Sequence, residues 1–120
     1  MTTSNTATTT DFEQLAAGYL EAWNESDPAA RRAAVDRMFS DDVRYVDPMV
    51  DISGREALVA TIAAVQDQFP GFSFRLSGTV DGHHGQARFG WELGPEGGAA
   101  PIAGFDVAVT DGAGRIRRVH

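Results

Sequence analysis

Three side chains in this sequence pair acid–base chemistry with apolar surroundings: Asp47, Tyr19 and Asp106. Around Arg44-Tyr45-Val46-Asp47-Pro48, residues Val43, Tyr45 and Asp47 fall on one side of a period-2 strand, with Arg44 and Val46 on the other. A carboxylate ending an otherwise apolar face is costly unless it is exposed, paired or used in chemistry. Pro48 cannot donate to a ladder, so it ends the strand just after the acid. Asp-Pro after a strand is also ordinary turn chemistry, and these five residues alone fit both readings. Tyr19 sits within the stripe Phe12, Leu15, Ala16, Tyr19, Leu20, Trp23, where its ring is buried and its hydroxyl needs a partner. Asp106 alternates with Phe105 and Val107 and shares its own strand face with the small or apolar Ile102, Gly104 and Ala108. Two acids facing one phenol in a dry pocket suit proton transfer and are more than a binding module needs.

Other candidates are weaker. His83-His84 lies in an Asp-Gly-His-His-Gly stretch; adjacent histidines point apart on a strand, and no carboxylate stands at helical spacing beside them, so no metal site is expected. Gly94-Pro95-Glu96-Gly97-Gly98 follows no strand-to-helix switch and carries no Lys-Ser/Thr, so it is not a phosphate loop. Arg115, Arg117 and Arg118 read as surface, and His120 as exposed. No nucleophile elbow is present. Trp23, one turn after Tyr19, is either core or pocket wall. With Tyr45, Phe69, Phe89 and Trp91 it completes the expected apolar, substrate-binding surface.

The elements that must position these groups are legible as periodicities. Met1 to Thr10 has no pattern and reads as a flexible tail, leaving 11–120 as one domain. Asp11 and Gln14 have capping-box spacing for the first helix. Asp27-Pro28 starts a second helix, to about Phe39, packed through Val35, Met38 and Phe39, with Arg31, Arg32 and Arg37 on a solvated face. Ser40-Asp41-Asp42 reads as the turn into the opening strand, Met49–Ile52 as a loop, and Ser53/Glu56 as the capping box of a third helix carrying Leu58, Ile62, Val65 and Phe69 inward. After Pro70-Gly71 the pattern alternates to the end. Phe72, Phe74, Leu76 and Val80 share one face, with a turn over Asp81–Gly85. Ala87, Phe89, Trp91 and Leu93 share the next, then Ala103, Phe105, Val107 and Val109, and Asp111-Gly112-Ala113-Gly114 turns into a last short strand. Helices first and strands after imply an α+β fold with the helices on one face of a curved sheet. The strand around Asp106 is apolar on both sides, so the second face calls for a cover, and a second subunit would supply it.

Composition sets the outer limits. The chain has 120 residues, a 42% hydrophobic fraction and a net charge of −7, so nucleic acid and anionic membrane are disfavoured partners. All ten basic residues are arginine, which excludes lysine Schiff-base chemistry, and the absence of cysteine excludes thiol nucleophiles and thiolate metal sites. No apolar run approaches the roughly 20 residues of a membrane span, and the N-terminus lacks a signal pattern; a cytoplasmic protein is expected.

The order helix–helix–strand–helix–meander, from about Phe12 to Val119, resembles the nuclear-transport-factor-2-like superfamily, and particularly its SnoaL-like polyketide cyclase and ketosteroid isomerase branches. The resemblance is carried by Tyr19-Leu20-Glu21-Ala22-Trp23-Asn24, by Phe39 to Pro48, by Ser53-Gly54-Arg55-Glu56-Ala57-Leu58, and by Asp106 with Asp111 to Ile116. It implies a cone-shaped roll, a curved antiparallel or mixed sheet wrapped around three helices with an apolar cavity inside, and a homodimer. By similarity to the isomerases, Asp47 takes the place of the general base, Tyr19 of the oxyanion-hole phenol, and Asp106 of a carboxylic acid kept neutral to donate a second hydrogen bond; that isomerase is a standard case of pKa tuning. In SnoaL-like cyclases an Asp of the later strands is the acid/base, a role Asp106 can fill without Tyr19. The resemblance thus implies cofactor-independent isomerisation or aldol-type cyclisation of a small apolar carbonyl compound. The alternative is a non-catalytic binding or assembly module of the same fold. Two departures mark this sequence: Asp27–Ala34 is longer than in the isomerases, altering the cavity's outer edge, and the last strand stops at His120, shortening a wall of pocket or dimer.

Overall fold

The computed structural model describes residues 9–120. The elements are α1 (Thr9–Asn24), α2 (Pro28–Met38), β1 (Phe39–Val46), β2 (Asp51–Ser53), α3 (Arg55–Gln68), β3 (Phe72–His83), β4 (Gln86–Pro95), β5 (Ile102–Thr110) and β6 (Ile116–Val119). One sheet contains the six strands in the order β2-β1-β6-β5-β4-β3. Its ladders are antiparallel except that between β1 and β6, which is parallel. Three helices packed against a curved mixed sheet is the α+β architecture expected from the order of patterns. No helix among the described residues is long and apolar enough to cross a membrane.

The core lies between the helices and the sheet's concave face. Ala16, Tyr19, Leu20 and Trp23 of α1 meet Val43, Phe89, Ala108 and Val119 of the sheet, joined by Leu58 and Ile62 of α3. Full burial of a Leu or Ile stabilises by about 1.5–3 kcal/mol, so α3 is held through these two positions. The inward alternations of β3, β4 and β5 follow the expected faces: Phe74 pairs with Leu93, Trp91 with Gly104, and Phe89 with Asp106.

Several local expectations are corrected. The expected tail lies outside the described residues except for Thr9 and Thr10, which are already helical. Asp11 is therefore not the cap of α1 but an acid in its first turn, favourably placed for the helix dipole. Ser40-Asp41-Asp42 is not a turn: Phe39 leaves α2 directly in extended conformation, and β1 absorbs the change as a register shift against β6 between Phe39 and Arg44. Within Met49–Ile52, Asp51 and Ile52 belong to β2, which pairs with β1. Ser53 ends that ladder and stands one residue before the N-cap of α3, which is Gly54, at φ 92°, with no side-chain cap bond. The Asp81–Gly85 turn shrinks to His84-Gly85, whose positive φ values of 48° and 73° form a two-residue hairpin between His83 and Gln86.

Arg31 is the largest correction. Arg32 and Arg37 are exposed, but Arg31 is only 8% exposed. Its Nε donates to Glu25 O at 3.0 Å, and Nη2 donates to Ser26 O at 3.2 Å and Gln66 Oε1 at 2.8 Å. The carbonyls just past the end of α1 lack helical partners, and a guanidinium fork with several donors satisfies them. By contrast, the Asp27-Pro28 start of α2 is as expected, with Asp27 Oδ2 accepting from Ala30 N at 2.9 Å.

Candidate active site

A cavity of about 530 Å³ opens between α1, α3 and the concave face of the sheet. Tyr19, Asp47 and Asp106 all line it, from α1, from the β1–β2 loop and from β5. They reach it by three local routes. The helical stripe turns Tyr19 inward. Asp106 follows from strand alternation, between Gly104 and Ala108 on the inner face. Asp47 follows Val46 where β1 ends.

Tyr19 Oη donates to Asp106 Oδ2 at 2.7 Å. Tyr19 is 1% exposed and Asp106 9%. Burial pushes the Tyr19 phenol well above its ordinary value, and the negative charge of Asp106 pushes it further, so it remains protonated. Burial also raises the Asp106 carboxyl. Against that, the Tyr19 hydroxyl and the Trp91 indole favour the charged form, while the Asp47 charge opposes it.

Asp47 is held at the turn. Its Oδ1 accepts from the backbone N–H groups of Met49 at 2.8 Å and Val50 at 2.9 Å, and the Asp47 N–H donates to Val50 O at 2.9 Å. Its Oδ2 accepts from Tyr45 Oη at 2.9 Å. The turn-forming and functional readings of Asp-Pro thus describe the same side chain, one oxygen for each. Burial raises the Tyr45 phenol above its ordinary value, which keeps it a donor to Asp47. The cavity is consequently bordered by two tyrosine–aspartate pairs. Trp23 stands between them, its ring centroid 6.3 Å from Tyr19 and 5.5 Å from Tyr45.

Of the aromatic residues expected in the wall, Trp23, Tyr45, Phe69 and Trp91 line the cavity. Phe89 does not: its ring packs edge-on against Tyr19 at 5.2 Å and is 1% exposed, so it supports the phenol from behind. Phe74 lines the cavity instead, edge-on to both Trp23 and Trp91. Thr61, Ala64, Val65 and Gln68 of α3 also border it, at the i, i+3, i+4, i+7 spacing of one helix face, a signal their polar ends conceal. Apart from Asp47 and Asp106, no lining residue carries a charged side chain. His83 and His84 are exposed at the distal β3–β4 turn, and among the described residues no three His, Cys, Asp or Glu side chains gather as a metal site.

A further cavity of about 500 Å³ shares the wall of Trp23, Val65, Phe69, Phe74 and Leu93, and is lined on its other side by Arg31, Asp67 and Glu96.

Three side chains able to take or give protons thus line one otherwise uncharged cavity. Comparisons with known proteins place the chain by family and by fold. No curated protein matches the sequence. The chain is 39% identical to an inferred isomerase of the SnoaL-like family from Agrobacterium tumefaciens strain C58, with 92% of this chain and 94% of that one covered and a TM-score of 0.88. An inferred polyketide cyclase from Sinorhizobium meliloti shares the fold at 15% identity, covering 94% of this chain and 97% of its own, with a TM-score of 0.72. A de novo designed protein with a curved β-sheet does so at 13% identity, over 94% and 84% of the two chains, with a TM-score of 0.69. The pattern of the SnoaL-like domain matches residues 16–119, and the chain belongs to that family within the nuclear-transport-factor-2-like superfamily.

Proposed function

We propose that this protein is a cofactor-independent acid–base enzyme, an isomerase or cyclase acting on a small apolar carbonyl compound in the cavity. The observation that carries the proposal is that Tyr19, Asp47 and Asp106 line one cavity whose remaining wall carries no charge. Asp47 is the base that takes a proton from the carbon beside the carbonyl. Tyr19 and the neutral form of Asp106 donate to the oxygen on which negative charge develops, and such donors act most strongly where water is excluded. The proposed assembly is a homodimer through the outer face of the sheet, where Phe105 is 66% exposed beneath the Arg88 guanidinium.

A second reading, a non-catalytic binding module, is favoured by one feature: both Asp47 oxygens already accept hydrogen bonds within the protein. Deuterium exchange at the α-carbon of cyclic enones and β-keto esters separates the two. The enzyme exchanges faster than Asp47→Asn. Ligand binding with no excess exchange leaves the binding module.

A further inference from the structure

The sequence has two tryptophans, and among the described residues their indole Nε1 atoms are the buried side-chain polar atoms that form no hydrogen bond. A buried donor without a partner is costly, so two at one cavity call for a physical account. Both tryptophans line the cavity. Trp91 stands opposite Gly104, two residues before Asp106 on β5, and the Trp23 ring lies 6.3 Å from that of Tyr19. Each indole favours the charged form of its neighbour, and neither N–H forms a hydrogen bond.

Backbone packing fixes one of them. Trp91 is paired across the β4–β5 ladder with Gly104. A Cβ at position 104 would lie 2.6 Å from Trp91 Cζ2 and 3.0 Å from Cε2, the ring carbon bonded to Nε1. The indole therefore lies flat on the glycine with its N–H edge at β5, two residues before Asp106 on the same strand face. Trp23 is fixed by its ring contacts with Tyr19, Tyr45 and Phe74.

We propose that the Trp91 and Trp23 indole N–H groups are donors held in reserve for negative charge on the Tyr19–Asp106 pair. When Asp106 ionises, its proton passing to the substrate oxygen in the proposed reaction or to buffer in a titration, the carboxylate left behind receives Tyr19 Oη–H and Trp91 Nε1–H, while Trp23 Nε1–H supports the Tyr19 oxygen. The donors go unmatched in the resting state because the charge they serve exists only after the proton has moved, which is electrostatic preorganisation. Both are positioning residues, acting through Asp106 and Tyr19. The catalytic meaning of the inference rests on the acid–base function proposed above, but its physical content does not.

The other titratable groups facing the pair are Tyr45 and Asp47, from β1 and the β1–β2 loop. α3 presents Thr61 and Gln68 to the cavity, and β3 and β4 present no ionisable side chain to it.

The test needs no substrate. With two indole N–H signals in the molecule, ¹H–¹⁵N spectra of the ¹⁵N-labelled protein follow both through a pH titration. The Trp91 signal is expected to move downfield as Asp106 ionises, with the Trp23 signal following more weakly, and both movements should vanish in Asp106→Asn. A Trp91 signal that stays still, or moves equally in Asp106→Asn and so reports Asp47, overturns the proposal. Replacing both tryptophans biosynthetically with benzothienylalanine removes the N–H groups and keeps the shape. The Asp106 carboxyl, read by ¹³C NMR and assigned through Asp106→Asn, should then titrate about one pKa unit higher, a tenfold change in its dissociation constant. An unmoved titration refutes the donor role even if Trp91→Phe is unstable. A responsive indole in a protein that exchanges no α-proton removes the proposed function and leaves this inference standing; exchange with silent indoles does the reverse.

Discussion

The hydroxyl of Tyr19 and the carboxyl of Asp106, 87 residues apart in sequence, meet at 2.7 Å in the buried wall of the cavity. The bond ties the middle of α1 to the middle of β5, so it serves stability and chemistry together. Tyr19→Phe keeps the ring against Phe89 and removes only the donor. Leaving a buried acceptor unmatched should cost about 1–3 kcal/mol in denaturant unfolding at neutral pH. In the exchange assay, loss of one oxyanion donor should lower the rate by about 10²–10³-fold.

Asp106→Asn separates charge from shape, since an amide oxygen still accepts from Tyr19. Burial raises the folded carboxyl above the ordinary 3.8. Between the unfolded value and the folded one, the native state binds more protons than the unfolded state, so stability falls as pH rises through that window. The uncharged Asn has no such slope. The difference in stability between Asp106→Asn and the parent should therefore shift toward the variant from about pH 4 upward, then level off above the folded carboxyl's titration. Thermal unfolding across that range checks the sign, and a difference that does not change with pH would show that Asp106 titrates alike folded and unfolded.

Local patterns of sequence carried most of the fold and part of the site. The α1 stripe, the Asp27-Pro28 cap and the alternations of β3 to β5 each depend on residues a few positions apart, where period decides which side faces in. Depth is a different matter. Phe74 and Phe89 both alternate inward, but only the packed structure puts Phe89 behind Tyr19 and Phe74 at the cavity. A charged residue in a helix reads as solvated, but the burial of Arg31 depends on carbonyls of Glu25 and Ser26 left open past the end of α1. β2 spans three residues, too few for a period to show. Convergence of Tyr19, Asp47 and Asp106 is a property of the curved sheet packed on its helices, and no spacing along the chain records it.

Gly104 is required by the ring lying on it rather than by its backbone angles. Gly104→Ala would place a methyl 2.6 Å from Trp91 Cζ2, and the indole must lift. Overpacking of this kind typically costs about 1–3 kcal/mol. Chemical denaturation should report that loss, and the near-ultraviolet circular dichroism of the tryptophans should change with it. An unchanged spectrum would place the ring elsewhere.

On the outer face, Phe105 crosses Gly90 and lies 4.8 Å under the Arg88 guanidinium, with the Arg75–Glu92 ion pair farther along the same face. A twofold contact centred on Phe105 would need about 800 Å² from each subunit to persist at micromolar concentration. Light scattering of the parent should then give twice the chain mass, and Phe105→Asp should give the monomer, because a desolvated carboxylate at the contact has no partner. A parent that scatters as a monomer removes the dimer from the proposal.

Asp47→Asn tests the base with the turn kept intact. The amide oxygen still accepts from the Met49 and Val50 N–H groups, and the Tyr45 hydroxyl can rotate to accept from the amide nitrogen, so unfolding stability should change by less than about 1 kcal/mol. Proton transfer requires a lone pair that can hold a proton at neutral pH, which an amide lacks, so α-proton exchange should fall to the rate in buffer while ligand affinity stays within a few-fold. Tyr45→Phe supplies the contrast. It leaves the Asp47 carboxylate in place but removes the donor on Oδ2, and with it one of the groups stabilising the ionised acid. Exchange should then be reduced rather than abolished, because the carboxylate that takes the proton is still present. If both variants lose exchange equally at every pH, Tyr45 is needed for more than holding Asp47, and the assignment of Asp47 as the sole base fails.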